Sequence, residues 1–214
     1  MAMNLSEALD QISEIRAHMA RTEVFRGYRS LTVGFSGVLA IVAAAVQSVW
    51  IPQPLEHLSA YLALWLGVAA VAATVAGVEM WLRTRATQSA VARRLTGLAV
   101  EQFLPCVVAG SALTAVIFQR AADVAWLLPG LWCLLFSLGV FASYRLLPRP
   151  VFFVGIFYLV CGVVALMAGP GNAALSPWLM GVSFGGGQLV TAAILYFTLE
   201  RDCTFSTSSG AKRP

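Results

Sequence analysis

Polar side chains that could carry chemistry are few in this sequence, and three of them lie inside or at the ends of long apolar runs. These are Gln47, Glu79 and Gln188. An amide or carboxyl group in hydrocarbon needs a partner, and ionisable groups within membranes commonly mark substrate or ion paths. The three residues therefore define a candidate polar path for a small transporter or channel.

Glu79 has two interpretations, which the sequence leaves open. It stands four residues before Arg83, and a Glu-then-basic pair at this spacing favours a local ion pair on one helix face. Alternatively, Glu79 is a protonatable group on a cytoplasmic-side cavity that also includes Glu101 and Tyr144. Only the second interpretation makes it part of a transport path.

A glycine-rich stretch precedes Gln188. Its members are Gly181, Gly185, Gly186 and Gly187, of which the first two form a G-x-x-x-G pair. Small residues allow helix backbones to approach closely in membranes. The stretch is therefore a candidate packing face within one bundle or a candidate homodimer face. In the packed case Gln188 bonds to a neighbouring backbone, to Gln47 or to Ser111, and otherwise it lines a cavity with Ser183, Thr191 and Gln47.

Groups typical of catalytic and metal sites do not form a constellation in this sequence. His18 and His57 lie outside the apolar runs, and no H-E-x-x-H motif occurs. The four cysteines (Cys106, Cys133, Cys161 and Cys203) are scattered without a C-x-x-C pair. We therefore predict no catalytic residue, no metal site and no cofactor, and the chain is not expected to be an enzyme.

The elements that hold these residues are predicted from composition. Of 214 residues, 59% are hydrophobic and only 11% are charged, whereas soluble proteins have about 25% charged residues. A spanning helix needs about 20 apolar residues. Six segments qualify: Leu31–Trp50, Leu58–Trp81, Leu98–Phe118, Val124–Tyr144, Val151–Ala168 and Pro177–Leu199. The sequence thus predicts an all-α, polytopic membrane protein with six transmembrane helices arranged as three hairpins.

Basic residues set the predicted orientation. Of the 14 Lys and Arg residues, 13 lie in the N-terminal segment, the second and fourth connections and the tail, and only Arg120 lies on the opposite side. The positive-inside rule then places both termini in the cytoplasm, and this distribution does not indicate nucleic-acid binding. The short loops favour a bacterial inner (plasma) membrane. Aromatic residues at the predicted outer interface are Trp50, Tyr61, Trp126 and Trp178.

Residues 1–27 are predicted to form a cytoplasmic amphipathic helix before the bundle of residues 28–203, and residues 204–214 a disordered tail. The apolar stripe of this helix is formed by Leu5, Leu9, Ile12, Ile15 and Met19. It is a candidate partner-docking face. Packing against the protein's own cytoplasmic side and contact with lipid are the alternatives.

The first and third hairpins are similar, because Val33–Pro54 and Val154–Pro170 both contain a glycine-studded helix that ends in proline. This similarity indicates either a hairpin repeat or two unrelated membrane helices built from the same few residue types. Gly155–Pro170 followed by Leu179–Leu195 resembles the hairpin unit of small bacterial six-helix membrane proteins of the acid-resistance type. The resemblance implies a stress-associated membrane protein without known catalytic residues.

Together these features predict a non-catalytic membrane protein with an accessory, scaffold or stress-sensing role through its cytoplasmic face. The alternative is a small transporter or channel that uses Gln47, Glu79 and Gln188. The expected partners are the lipid bilayer and either a second copy or another membrane or cytosolic protein.

Overall fold

A computed structural model of the chain describes residues 30–86, 90–144 and 149–200, and these ranges are helical apart from short connections. The first five helices are α1 (Ser30–Trp50), α2 (Leu58–Ala86), α3 (Ala90–Arg120), α4 (Leu128–Ser143) and α5 (Val151–Met167). A short 3₁₀ helix, Ala122–Leu127, leads into α4. The predicted helix at residues 1–27 and the tail at residues 204–214 lie outside the described residues.

The sixth helix changes its winding three times. It begins as α-helix at Pro177–Met180, continues as π-helix over Gly181–Gly186, returns to α-helix at Gly187–Leu195 and ends as π-helix at Tyr196–Glu200. We call the whole element α6. Four of the six residues in the first π-helical segment have a small side chain or none: Gly181, Ser183, Gly185 and Gly186. Small residues lower the free-energy cost of the wider π turn.

Five helical segments are long and apolar enough to cross a membrane. They are Ser30–Trp50, Leu58–Leu82, Val100–Arg120, Ala122–Ser143 and Pro177–Thr198. The remaining helix, Val151–Met167, has 17 residues, which corresponds to about 25 Å and to the lower limit of a spanning helix. The part of the chain that the structure describes is therefore all-α, with six helices of the kind found in polytopic membrane proteins.

Helix α1 packs along α6 in the antiparallel direction. A Cβ atom added to Gly34 would contact Ala192, one added to Gly37 would lie 3.0 Å from the Gly185 carbonyl oxygen, and one added to Gly181 would lie 2.8 Å from Ala44 Cβ. The residue numbers rise on one helix as they fall on the other. Small residues thus let the two backbones approach closely along much of their length.

Helices α4 and α5 meet at a reciprocal glycine contact. A Cβ atom on Gly130 would lie 3.0 Å from the Gly162 carbonyl oxygen, and a Cβ atom on Gly162 would lie 3.0 Å from the Gly130 carbonyl oxygen. About two turns away, a second contact joins these helices, since the Ser137 hydroxyl donates to the Gly155 carbonyl at 2.8 Å. The pair α4–α5 is therefore as tightly apposed as α1–α6.

Helices α2 and α3 are much less embedded than the others. Only 17% of the α2 span and 11% of the α3 span are buried, compared with 33% for α1 and α6 and 44% for the segment that contains α4. The buried residues of α2 (Tyr61, Leu62 and Trp65) and of α3 (Thr114 and Ile117) all lie toward the Trp50–Leu58 end of the bundle. Tyr61, expected at the interface, is fully buried because its ring faces the core cluster that also contains Leu128 and Leu175.

Candidate functional site

The side chain of Gln47 is fully buried and joins three parts of the chain. Its Nε2 donates to the Leu175 carbonyl oxygen at 2.8 Å, and its Oε1 accepts from Trp65 Nε1 at 2.7 Å. The amide thereby connects α1 to α2 and to the connection that precedes α6. Because both ends of the amide are satisfied in the core, its hydrogen bonds stabilise the bundle.

The connection between α5 and α6 supplies one of these partners because it turns back into the core. Gly169 and Gly171 have φ values of 72° and 136°, in the left-handed region that glycine adopts without steric cost. Leu175 then becomes fully buried, and its carbonyl faces Gln47. A second bond fastens the same connection, since the Leu55 amide donates to Asn172 Oδ1 at 3.3 Å.

Other buried polar groups also form bonds within the bundle. Trp132 Nε1 donates to Thr114 Oγ1 at 2.9 Å and joins α4 to α3. The Ser183 hydroxyl donates to the Leu179 carbonyl of its own helix at 2.7 Å. The Trp132–Thr114 and Ser137–Gly155 bonds thus join neighbouring helices, whereas the Ser183 bond lies within α6.

Tyr61 is different, because its buried hydroxyl has no hydrogen-bond partner among the described residues. A desolvated hydroxyl without a partner is unfavourable. We expect Tyr61→Phe to raise the free energy of unfolding by about 1 kcal/mol. Thermal and denaturant unfolding in detergent would measure this, with Trp65→Phe as a control that loses a bond and lowers stability. A loss of stability in Tyr61→Phe would contradict the expectation and reveal a partner for the hydroxyl.

The structure does not bring Gln47, Glu79 and Gln188 together. Gln47 lies at the level of Trp65 and Leu175, whereas Glu79 is four turns farther along α2 and Gln188 a similar distance along α6. These separations correspond to about 20 Å along the helix axes. Glu79 is half-buried, and the side chain of Arg83 lies outside the described residues, so their predicted pair is untested.

Gln188 is half-buried and forms no side-chain hydrogen bond with the described residues. The partners proposed from the sequence are bonded elsewhere: Gln47 as above, and Ser111 to the Val107 carbonyl of its own helix at 2.9 Å. Thr191 likewise donates to the Gly187 carbonyl at 2.7 Å. Glu101 and Tyr144, which the cavity hypothesis added to Glu79, are both exposed.

Three of the four glycines predicted as a packing or dimer face contact helices of the same chain. A Cβ atom on Gly181 or Gly185 would meet Ala44 or Ile41 of α1, and one on Gly187 would meet the Tyr158 ring of α5. Gly186 alone has nothing within 4 Å. The stretch therefore serves helix packing within the chain. The predicted docking face (Leu5, Leu9, Ile12, Ile15 and Met19) lies outside the described residues.

The described residues contain no group of three or more His, Cys, Asp or Glu side chains that could hold a metal ion. Within the same ranges Cys106, Cys133 and Cys161 are free thiols.

An apolar groove lies between α5 and α6. It is lined by Phe153, Val154, Phe157, Gly187, Val190 and Ile194 and has a volume of about 80 Å³. Phe153 and Val190 are 68% and 52% exposed, so the groove opens to the surroundings of the bundle and not to its interior. This groove was not predictable from the sequence, because its lining consists of ordinary membrane-helix residues.

Comparison with protein-family models, with curated proteins and with solved structures finds no match to this chain. The resemblance of the third hairpin to membrane proteins of the acid-resistance type remains a sequence-based expectation.

Proposed function

We propose that this chain is a non-catalytic accessory or scaffold protein of the membrane, which acts by binding another membrane-spanning helix through the outward face of α2. The observation that carries the proposal is the small-residue surface on that face, which no described part of the chain covers. The proposal takes the chain to cross a bacterial inner membrane six times with both termini in the cytoplasm, as the distribution of basic residues indicates.

The outward face of α2 consists of residues at three- and four-residue spacing opposite its buried side. These residues are Ala63, Gly67, Ala70, Thr74 and Gly77, all of them exposed. A Cβ atom added to Gly67 or Gly77 would meet nothing within 4 Å. The Thr74 hydroxyl is satisfied by the Ala70 carbonyl at 2.7 Å, so the face has no unsatisfied polar group at that position.

The chain's own helix contacts show what such a face can do. Gly37 meets Gly185 between α1 and α6, and Gly130 meets Gly162 between α4 and α5. In both pairs small residues allow close backbone approach, which is the main source of helix association in lipid. The α2 face carries small residues of the same kind, but no described helix packs on them. We therefore infer that another helix, and not lipid, lies against this face.

The transport alternative has weaker support. The buried amide of Gln47 is committed to Trp65 and Leu175, and the groove described above is apolar. A polar path would need Glu79 and Gln188 to act without Gln47. We therefore favour the accessory role over transport.

Leucine at both Gly67 and Gly77 is expected to abolish most of the association. The added side chains block close approach, and a helix–helix contact of about 1–2 kcal/mol corresponds to about a 5- to 30-fold loss of complex. Stability of the single chain should not change, since both positions are open. Native mass spectrometry after purification in mild detergent would compare the complex with the 22.8 kDa chain alone.

Val164→Leu is the matched control, because Val164 is 55% exposed on α5 and the change also adds volume to the lipid-facing surface. It should leave the complex intact. A complex that survives the double glycine variant, or a wild-type chain that is always recovered alone from native membranes, would contradict the proposal.

A further inference from the structure

We infer that the groove between α5 and α6 binds an acyl chain of an anionic phospholipid whose phosphate lies at Arg149. This lipid site is separate from the α2 face and requires only that the bundle lies in a membrane. It joins two features of the structure that the proposed function does not use: an apolar groove that opens outward, and an exposed cation in the turn at the start of α5.

The shape of the groove favours a lipid chain. The groove has a volume of about 80 Å³. One water-sized group requires about 10–15 Å³, so the groove is several times larger than a site for a single such group. It therefore holds several methylene-sized groups. Its rim carries the large side chains of Phe153 and Val190, which are exposed and would keep a partner helix from approaching closely.

Arg149 lies at the N-terminal end of α5, and Phe153 is the first residue of this helix that lines the groove. Arg149 is exposed in the turn immediately before α5, and its carbonyl accepts from the Phe152 amide at 3.2 Å, so the turn is continuous with the helix. Residues four apart lie on one helix face. Phe153 and Phe157 therefore share one face of α5, and Arg149 lies in the turn two residues before Val151, the first residue of that helix.

The charge at this position is complementary to a phosphate. Arg149 forms no ion pair with any residue of the described ranges, and its guanidinium can donate two parallel hydrogen bonds to phosphate oxygens. The first amides of α5 add a weaker attraction for an anion at the same end. A headgroup at Arg149 would lead its acyl chain along Phe153 and Phe157 into the groove.

Lipid binding to the purified full-length chain tests this site. Native mass spectrometry would compare phosphatidylglycerol with phosphatidylcholine of identical acyl chains. We expect the wild-type chain to retain phosphatidylglycerol at least about fivefold more strongly, and Arg149→Gln to abolish that preference. Arg120→Gln, an exposed basic residue before the short 3₁₀ helix, is the matched control and should keep the preference.

Val190→Trp fills the groove and should lower retention of both lipids, with Ile194→Phe as a second filling variant if the first does not fold. Inorganic phosphate alone should not compete for the site, because it lacks the chain. Equal retention of the two lipids by wild type would overturn the inference. A preference that persists in Arg149→Gln, groove-filling variants that bind as wild type does, or effective competition by inorganic phosphate would each overturn it as well.

Discussion

Gly162→Leu is expected to lower the free energy of unfolding by about 3 kcal/mol, near the upper end of the usual range for overpacked cores. A Cβ atom at this position would already lie 2.8 Å from Leu134 Cγ and 3.0 Å from the Gly130 carbonyl oxygen. The second of these atoms belongs to backbone and cannot move without separating α4 from α5. Thermal and denaturant unfolding of the purified chain in detergent would measure the effect.

Gly97→Leu is the control for this substitution, because nothing lies within 4 Å of a Cβ atom at Gly97. The control should unfold as wild type does. Gly130→Leu acts on the other side of the same contact and should be about as destabilising as Gly162→Leu. Wild-type stability in either α4–α5 variant would show that the two helices are not as closely apposed as the structure indicates.

Gln47→Leu is expected to lower the free energy of unfolding by about 2 kcal/mol, since it leaves two buried groups without partners. These groups are the Trp65 indole N–H and the Leu175 carbonyl. Ser48→Leu is the adjacent control: Ser48 is exposed and bonds only within its own helix, to the Ala45 carbonyl. Unfolding in detergent should separate the two variants clearly.

A double-mutant cycle with Trp65→Phe isolates the Gln47–Trp65 bond. We expect a coupling energy of about 1 kcal/mol, because each single variant removes the same hydrogen bond. Additive effects of the two substitutions, or a Gln47→Leu variant as stable as wild type, would mean that the buried amide does not hold α1 and α2 together.

Helix positions were largely predictable from sequence, because prolines, arginines and apolar runs mark the ends of the spans. The first span was expected at Leu31–Trp50, and α1 is Ser30–Trp50. Two helices are longer than their apolar parts: α2 continues to Ala86, and α3 begins at Ala90. Hydropathy locates the hydrocarbon, but a helix can continue beyond it wherever the residues favour helix.

The partners of Gln47 were not predictable. Its acceptor is a backbone carbonyl 128 residues away in sequence, and backbone groups carry no sequence signal. Only the turn made by Gly169 and Gly171 hints that the connection folds back. Gln47 and Gln188 look alike in sequence, yet one is fully buried and bonded while the other is half-buried without a bond to the described residues.

The glycine stretch of α6 was predictable as a packing element but not in its detail. The π-helical turn over Gly181–Gly186 shifts the positions that follow it relative to a regular α-helix. As a result Gly187 faces Tyr158 of α5 and Gly186 faces open space. The open face of α2 could be read as a small-residue stripe, but only the structure shows that no described helix covers it.

Photocross-linking along α2 tests most directly the central claim that this outward face binds another membrane-spanning helix. A photoreactive residue would be placed in turn at Ala70, Thr74 and Gly77 and at the flanking exposed positions Val71 and Val75, in native membranes. We predict one protein adduct of defined mass whose yield is high at the first three positions and low at the other two. Adducts with lipid alone, or protein adducts of equal yield at all five positions, would contradict the claim.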